Sequence, residues 1–381
     1  MDFRRDALHQ DILEMVHDFA VEDVKPLARE IDRTEEFPMA NVKRMAEMGF
    51  LGIPFPENYG GSQMDFLTYI QTVEELSKYC GTTGNIVFAH TTFCSAPIYQ
   101  FGAEWQKEKY LTKLCSGEWL GSFALTEPET KSGASGRYQI TAMDAGSHWV
   151  LDGYKTFVSG ADVADVFFVT AMTSQLQGTR GIPSFIVEKG FPGLSVGKRE
   201  NQVGIRAASI CELVFRECIV PKENLVGSQG KGFEYAGTVL DEGRICVAAQ
   251  ALGIAEGALE ETADYVRARK KFGRSLSQFQ KTQFELAQMK TNTEAVKLLV
   301  YQAACARDSR ESFSHRAAMA KLAASQNAFD VAYRCQQLYG DPAYRKGHPI
   351  ERMMRDAEIT EIYGGTSEVQ MRVIAGWMGI K

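Results

Sequence analysis

The spacing of apolar residues divides the chain into three stretches with different periods. In the first stretch, which runs to about position 113, apolar side chains recur every three or four positions, as at Ile12, Met15, Val16 and Phe19, which predicts amphipathic helices. Between 121 and 226 the period changes to two, and from 232 onward it returns to the helical value. We therefore expect an α+β architecture with a helical domain over 1–120, a β domain over 121–228 and a helical bundle over 229–381.

Individual elements can be predicted within these stretches. Runs of β-branched and aromatic residues predict strands over 166–170, 184–187 and 211–215, and the Asp152-Gly153 pair is typical of a hairpin turn. Helices are predicted over 66–79, 92–101, 233–270, 276–308, 315–338 and 349–362. Gly243, Gly253 and Gly257 lie inside the third of these helices and cost roughly 1 kcal/mol each relative to alanine. We expect another backbone or a ligand to approach the helix closely there.

Composition narrows the class of protein. The 381 residues include 45% hydrophobic and 24% charged residues, which is ordinary for a globular protein, and the net charge of −6 argues against nucleic acid as the partner. No run of about 18 apolar residues occurs, so no membrane span is expected. The eight cysteines form no CxxC pair and no histidine cluster accompanies them, so we expect neither a metal site nor disulfides. Buried free thiols fit a reducing compartment, and a cytoplasmic location is expected.

Several motifs add a specific resemblance. They are Ile53-Pro54-Phe55-Pro56-Glu57-Asn58-Tyr59-Gly60-Gly61, Leu125-Thr126-Glu127-Pro128, Val220-Pro221-Lys222-Glu223-Asn224-Leu225, Leu240-Asp241-Glu242-Gly243-Arg244-Ile245, Arg269-Lys270-Lys271-Phe272-Gly273, Glu351-Arg352-Met353-Met354-Arg355-Asp356-Ala357 and Ile362-Tyr363-Gly364-Gly365-Thr366-Ser367-Glu368. In this order and spacing, over essentially the whole chain, they resemble the acyl-CoA dehydrogenase family, and overall the chain is most similar to its short-chain, butyryl-CoA dehydrogenase-like members and to acryloyl-CoA reductases. The resemblance implies an N-terminal helical domain, a central β domain and a C-terminal four-helix bundle.

The resemblance also implies a chemistry, from which this sequence departs at one catalytic position. In the family a base removes the proton α to a thioester carbonyl while the β hydrogen leaves as hydride to N5 of FAD. In the short- and medium-chain members that base is a glutamate at the position of Gly364. A hydrogen atom cannot act as a base, but the backbone N–H of Gly364 can still donate a hydrogen bond to the thioester oxygen. Such a bond is typically worth a few kcal/mol for a developing enolate.

The resemblance assigns further residues to the site. The expected FAD contacts are Leu125, Thr126, Ser132, Phe157, Ser159, Arg269, Phe272, Gln280, Gln337, Gly340, Thr366 and Glu368. Of these, Arg269, Phe272, Gln280 and Gln337 would reach the FAD of a neighbouring subunit, which implies a homotetramer. The expected substrate contacts are Ser132, Asp241, Arg244, Tyr363 and Gly364.

Some of these residues also have a purely structural interpretation. Thr126 and Ser159 are also ordinary strand-end hydroxyls, and Arg269 with its neighbouring lysines is also a solvated helix end. Arg244 could equally pair with Asp241. Glu351 and Arg355 have the i,i+4 spacing of a helix salt bridge, and we expect that structural role for them.

The sequence departs from the family pattern at further positions. A second base position known in relatives, immediately before Arg244, is occupied by Gly243. Glu242 is adjacent, but one residue along a helix turns a side chain by about 100°, so Glu242 is a weak candidate for the base. Thr91, Tyr363, Cys94 and Ser95 could approach the acyl group, but none is a good base at its unperturbed pKa. The loop before Ser132 is altered, and Asp341 stands in a stretch where a double glycine is usual, close to the expected pyrophosphate.

Three functional hypotheses follow. The first is an FAD-dependent dehydrogenase of a short acyl thioester, carried by CoA or by an acyl-carrier protein, with a base from another position or with oxidation at carbons other than α and β. Electron-transferring flavoprotein would then be its redox partner. The second is an enoyl-thioester reductase, for which solvent supplies the α proton. The third is a catalytically silent homologue that binds a thioester or has a structural role.

Overall fold

The computed structural model describes residues 7–128 and 140–380. Ser132 and the altered loop before it lie outside these residues. Within them, no helix combines the length and the apolar character that a bilayer-spanning segment needs.

The first part of the chain is a layer of helices. The α-helices are α1 (Ala7–Phe19), α2 (Ala28–Thr34), α3 (Met39–Glu47), α4 (Phe66–Tyr79), α5 (Gly81–His90), α6 (Ala96–Phe101), α7 (Glu104–Gln106) and α8 (Thr112–Cys115), and π-helical turns occur at Ala20–Val24, Thr91–Ser95 and Lys107–Leu111. The predicted helix over 66–79 is confirmed. It begins at Asp65, whose carboxylate accepts the N–H of Thr68 at 2.8 Å and caps the first turn. The predicted helix over 92–101 corresponds to the π-helical turn Thr91–Ser95 followed by α6. No helix was predicted over α5, whose ten residues are all buried and show no polar face.

The middle part forms two sheets over a core of its own. The strands are β1 (Gly121–Ala124), β2 (Thr141–Asp144), β3 (His148–Ser159), β4 (Val166–Thr170), β5 (Ser184–Glu188), β6 (Leu194–Arg199) and β7 (Ile210–Pro221). One sheet has the order β1-β4-β5, with β1 parallel to β4, and the other has the order β2-β3-β7-β6 with antiparallel pairs. The three predicted strands are confirmed as β4, β5 and β7.

The predicted hairpin turn at Asp152-Gly153 is wrong. Both residues lie inside the continuous strand β3, where the register with β7 shifts between Leu151 and Gly153. Gly153 has a φ of +138°, and a Cβ on it would lie 2.8 Å from the Cα of Ile140. The glycine therefore permits a β-bulge and close passage of a neighbouring segment rather than a chain reversal.

The last part is a bundle of long helices that completes the fold. They are α9 (Gly232–Ala268), α10 (Gln280–Asp308), α11 (Ser314–Tyr339), α12 (Pro349–Ile362) and α13 (Ser367–Trp377), and a small hairpin of β8 (Lys270–Lys271) and β9 (Arg274–Ser275) follows α9. The helix α11 packs against α9, α10, α12 and α13. Because α4 also packs against α9 and α10, the first helical layer and the bundle share one hydrophobic core.

His90 joins this helical core to the β domain. The side chain is 2% exposed, and its Nδ1 accepts the N–H of Gly121 at 3.1 Å while its Nε2 donates to the carbonyl of Leu114 at 3.0 Å. The imidazole is therefore neutral, with its proton on Nε2. Burial lowers the pKa of His90 to about 4, from an ordinary value of 6.5.

This depressed pKa predicts a loss of stability in acid. The unfolded chain takes up the His90 proton near pH 6.5 and the folded chain only near pH 4, so the contribution is complete above pH 6.5 and disappears as the pH falls to 4. Its full size is about 3 kcal/mol of unfolding free energy. Urea unfolding between pH 7 and pH 4, at fixed protein concentration, measures it. His90→Gln keeps one acceptor and one donor without titrating, and should show a correspondingly smaller fall; an equal fall in both proteins contradicts the assignment.

Candidate functional site

The turn that follows α12 contains Gly364, the position at which the sequence predicts that the usual base is missing. Gly364 and Gly365 have φ values of +65° and +93°, both in the left-handed region that favours glycine. A Cβ on Gly364 would point at α9 and lie 3.2 Å from the Cγ2 of Val247. Among the described residues, none accepts a hydrogen bond from the N–H of Gly364. The turn thus presents an unused donor next to the long helix.

The face of α9 opposite this turn is apolar and closely covered. Gly243 lies one turn before Val247, and a Cβ on Gly243 would overlap ring carbons of Phe93. The ring of Phe93 stacks on Phe123, with centroids 5.7 Å apart and an interplanar angle of 17°, and meets Phe88 edge to face at 5.9 Å. These rings fill the space beside Gly243.

Glu242 does not belong to this face. It is 3% exposed, and its carboxylate accepts hydrogen bonds from the Nε2 of Gln100 at 3.0 Å and from the Nε of Arg307 at 2.9 Å. Both partners lie on other helices, α6 and α10. The carboxylate is therefore part of a buried ion pair, as the 100° rotation from Gly243 predicts, and could act as a base only by breaking its bond to Arg307.

The other polar residues that the sequence predicts near an acyl group donate hydrogen bonds to protein groups. The hydroxyls of Thr91 and Ser95 donate to the carbonyls of Leu51 and His90, at 3.1 Å in each case. The hydroxyl of Tyr363 donates to the side chain of Gln250, and burial raises the pKa of Tyr363 far above its ordinary value. Tyr363 is thus a neutral donor and not a base.

Cys94 is equally unsuitable. Its thiol contacts the carbonyl of Val166 at 3.8 Å, and burial raises its pKa to about 12, so it carries no thiolate at neutral pH. All eight cysteines are free in the structure, and seven of them are buried.

Asp241 and Arg244 form a partly buried ion pair within α9. The guanidinium donates to the carboxylate, and burial lowers the pKa of Arg244 and raises that of Asp241. The Nε of Arg244 is buried and has no hydrogen-bond partner among the described residues. The pairing interpretation is therefore confirmed, and Arg244 keeps an unused donor.

The β domain contributes a second surface. The segment Leu125–Thr126 follows β1, and the carbonyl of Thr126 accepts the N–H of Thr156 at 2.8 Å, which places this segment beside the end of β3. Neither the hydroxyl of Thr126 nor that of Ser159 makes a hydrogen bond within the described part of the chain. Phe157 is 61% exposed, and its φ of +54° lies in the left-handed region that side chains rarely adopt. A strained, exposed aromatic residue beside two unused hydroxyls is a marker of a binding surface.

A buried ion pair between Lys155 and Glu127 fixes the Leu125–Thr126 segment. The Nζ of Lys155 donates to the carbonyl of Leu125 and to a carboxylate oxygen of Glu127, both at 2.8 Å. The two side chains are 0% and 1% exposed. Burial lowers the pKa of Lys155 to about 8. Sequence reasoning did not single out this lysine, because one of its partners is a backbone carbonyl 30 residues away.

The remaining predicted cofactor contacts lie at the far end of the bundle. There α9 and α11 end and α10 begins, and this end exposes Arg269, Phe272, Gln280, Gln337 and Gly340. Phe272 is 87% exposed with a φ of +53°. Sixteen residues of α11 separate Gln337 from Lys321, which contacts the Gly365 turn, and at 1.5 Å per residue this is about 24 Å. Within one chain, these five residues therefore lie too far from Gly364 to form one site with it.

Thr366 and Glu368 lie with the Gly364 turn. Thr366 precedes α13, and Glu368 lies in its first turn, where a hydrogen bond with the side chain of Thr366 lowers the pKa of Glu368. The predicted salt bridge of Glu351 and Arg355 is confirmed, with an Nε to Oε2 distance of 2.8 Å, and Arg355 also pairs with Asp32.

Comparison with known proteins identifies the family. Three family models match the chain in order: Acyl-CoA dehydrogenase, N-terminal domain, over 6–118; Acyl-CoA dehydrogenase, middle domain, over 122–218; and Acyl-CoA dehydrogenase, C-terminal domain, over 230–379. The chain belongs to the acyl-CoA dehydrogenase family.

Individual members of the family resemble the chain over its full length. A short-chain specific acyl-CoA dehydrogenase of Clostridium acetobutylicum is 50% identical over 99% of both chains. An acryloyl-CoA reductase (NADH) of Anaerotignum propionicum is 42% identical over 98% of this chain and 95% of its own length. The solved structure of butyryl-CoA dehydrogenase from Megasphaera elsdenii superposes with a TM-score of 0.97 at 42% identity and covers 99% of this chain and 100% of that one. The expected fold is therefore confirmed.

The surface around Phe157 and the exposed bundle end around Phe272 carry the groups that FAD requires. A flavin ring needs an apolar face and donors for its polar edge, and Phe157, Thr126 and Ser159 offer these with unused hydrogen-bonding capacity. The exposed Phe272 and Arg269 offer an aromatic face and a cation for an adenine nucleotide. The residues fit the cofactor, provided that the distant set acts on a neighbouring copy of the chain.

Proposed function

We propose that this protein is an FAD-dependent oxidoreductase of short acyl thioesters in which the usual glutamate base is absent. The observation that carries the proposal is the Gly364 turn, which lies beside Val247, keeps an N–H that has no acceptor among the described residues, and carries no carboxylate at position 364. FAD, when bound, supplies a hydride acceptor. The N–H of Gly364 would hold and polarise the thioester oxygen, and the rings of Phe93, Phe123 and Phe88 would exclude water and restrict the acyl group to a short chain.

The missing base changes the expected outcome for the substrate. An α proton is too weakly acidic to leave without a base, so ordinary α,β oxidation should be slow. The proton must leave to a base from another position, or the oxidised carbons must be others than α and β. The pantetheine arm is the same on CoA and on an acyl-carrier protein, and either is proposed as the carrier, with electron-transferring flavoprotein as the redox partner.

The proposed active assembly is a homotetramer. The expected FAD contacts of one chain lie on two surfaces that the bundle keeps apart, so a complete site needs two chains. Exposed apolar side chains on the bundle support association; they include Phe284, Leu298, Tyr333, Met371 and Trp377.

An enoyl-thioester reductase is the second candidate. In that direction solvent can deliver the α proton, so the absence of a carboxylate at position 364 is no obstacle. The full-length similarity to a relative described as an acryloyl-CoA reductase favours this alternative.

Flavin spectroscopy of the purified protein tests the proposal. We expect bound FAD, and anaerobic addition of short acyl thioesters should bleach it if the protein is a dehydrogenase. If it is a reductase, enoyl thioesters should instead reoxidise the chemically reduced flavin. A protein that takes up no FAD even after reconstitution contradicts both enzyme functions and leaves a thioester-binding or structural role.

A further inference from the structure

Lys321 is a buried lysine that contacts the Gly364 turn. It belongs to α11 and is 0% exposed. Its Nζ donates to the carbonyl of Glu361 at 3.0 Å and to the carbonyl of Gly365 at 2.8 Å. These two acceptors lie on either side of Gly364. The lysine therefore ties together the end of α12 and the turn that follows it.

A second buried side chain completes this attachment. The Nε2 of Gln370, which is 0% exposed, donates to the carbonyl of Gly364 at 3.2 Å and to that of Gly365 at 2.7 Å. Upstream, the N–H of Tyr363 donates to the carbonyl of Ile359 at 3.1 Å. The peptide that joins Tyr363 to Gly364 is thus held on both sides, while its own N–H keeps no acceptor.

Packing alone does not explain a lysine at this position. No carboxylate lies within salt-bridge distance of its Nζ among the described residues, whereas the other fully buried lysine, Lys155, pairs with Glu127. Burial lowers the pKa of Lys321 to about 8; Glu361 and Glu368 partly oppose this shift, and Arg244 adds to it. Burying an unpaired ammonium costs stability that an apolar side chain of similar shape would not. The compensation comes from two carbonyls near the C-terminal end of α12, where a cation is favoured.

We propose that Lys321 is a positioning residue, which with Gln370 fixes the Gly364 peptide so that its N–H is directed at the thioester oxygen. The glycine pair at 364 and 365 has the widest backbone freedom of any sequence. Without attachment of its carbonyls, that freedom would let the peptide rotate and lose the donor. This role rests on the proposed thioester site, and it would matter more here than where a glutamate side chain also limits the turn.

Two measurements on the full-length protein test this role, with Lys321→Met and the control Lys297→Met. Lys297 is a partly buried lysine of the bundle; it pairs with Glu74 and Glu256 and makes no contact with the turn. The first measurement is hydrogen exchange in the peptide over 361–366. We expect about tenfold faster exchange there in Lys321→Met, as for loss of one charged hydrogen bond, and no change in Lys297→Met.

The second measurement is the infrared carbonyl stretch of bound, carbonyl-labelled butyryl-CoA. A hydrogen bond from Gly364 lowers this frequency, and Lys321→Met should lose most of the shift while Lys297→Met keeps it. Lys321→Gln, which retains a donor, should recover part of it. Unchanged exchange in the turn, or an unchanged shift in Lys321→Met, overturns the positioning role. If Lys321→Met shows the faster exchange but the wild-type protein binds no thioester, the positioning of the turn stands and the proposed function is contradicted.

Discussion

Replacing Gly364 by glutamate is expected to raise α,β-dehydrogenation of short acyl-CoA substrates by about 10²- to 10⁴-fold, which is the usual contribution of a positioned general base. The new side chain would leave the turn toward Val247, beside the face of α9 that carries Gly243. The left-handed φ of +65° should cost about 1–2 kcal/mol of unfolding free energy. The gain is measured as turnover of butyryl-CoA with an artificial electron acceptor.

Gly364→Gln is the matched control for this gain. It has nearly the same size and the same backbone strain but accepts no proton, so it should lose similar stability and gain no activity. If the glutamate variant binds FAD and shows no gain with any short acyl-CoA, then the altered loop around Ser132 or Asp341, and not the base, limits the reaction.

Replacing Lys155 by methionine is expected to cost about 3–5 kcal/mol of unfolding free energy, because the buried Glu127 would lose the ammonium of Lys155. The same change should weaken FAD binding, since the Leu125–Thr126 segment loses the ammonium that holds its carbonyl. Urea unfolding and flavin content after dialysis measure the two effects.

Two further variants separate these effects. The double variant Lys155→Met with Glu127→Leu removes both charges and should recover most of the stability, yet it should still retain less FAD. Lys189→Met, which removes an exposed lysine that donates to the carbonyl of Asp162, should change the unfolding free energy by less than about 1 kcal/mol. Full flavin retention in the double variant would show that the pair only stabilises the β domain.

Local patterns in the sequence predicted the long amphipathic helices well. The helices α4 and α12 were predicted with their observed ends, because each has a clear apolar stripe and a recognisable first turn, with Asp65 before one and Pro349 opening the other. The helix α5 was missed because it is buried on every side and has no period. The dipeptide Asp152-Gly153 was misinterpreted because a glycine with positive φ serves a bulge as well as a turn, and only the partner strand distinguishes the two.

The site was predictable only where a motif carries it. The glycine at the proposed base position, Gly364, is visible in the sequence, and a helical rotation of 100° already separates Glu242 from the face of α9 that carries Gly243. Its partner Arg307, however, lies 65 residues away. The two buried lysines, Lys155 and Lys321, were not foreseen, since each donates to backbone carbonyls that any sequence would provide.

The most direct test of the account is a crystal structure of the FAD-loaded protein with a short acyl thioester bound. We expect the thioester oxygen within hydrogen-bond distance of the N–H of Gly364, the acyl group against Phe93 and Val247, and no carboxylate facing its α carbon. A thioester bound elsewhere, or Glu242 released from Arg307 and turned toward the α carbon, would contradict it.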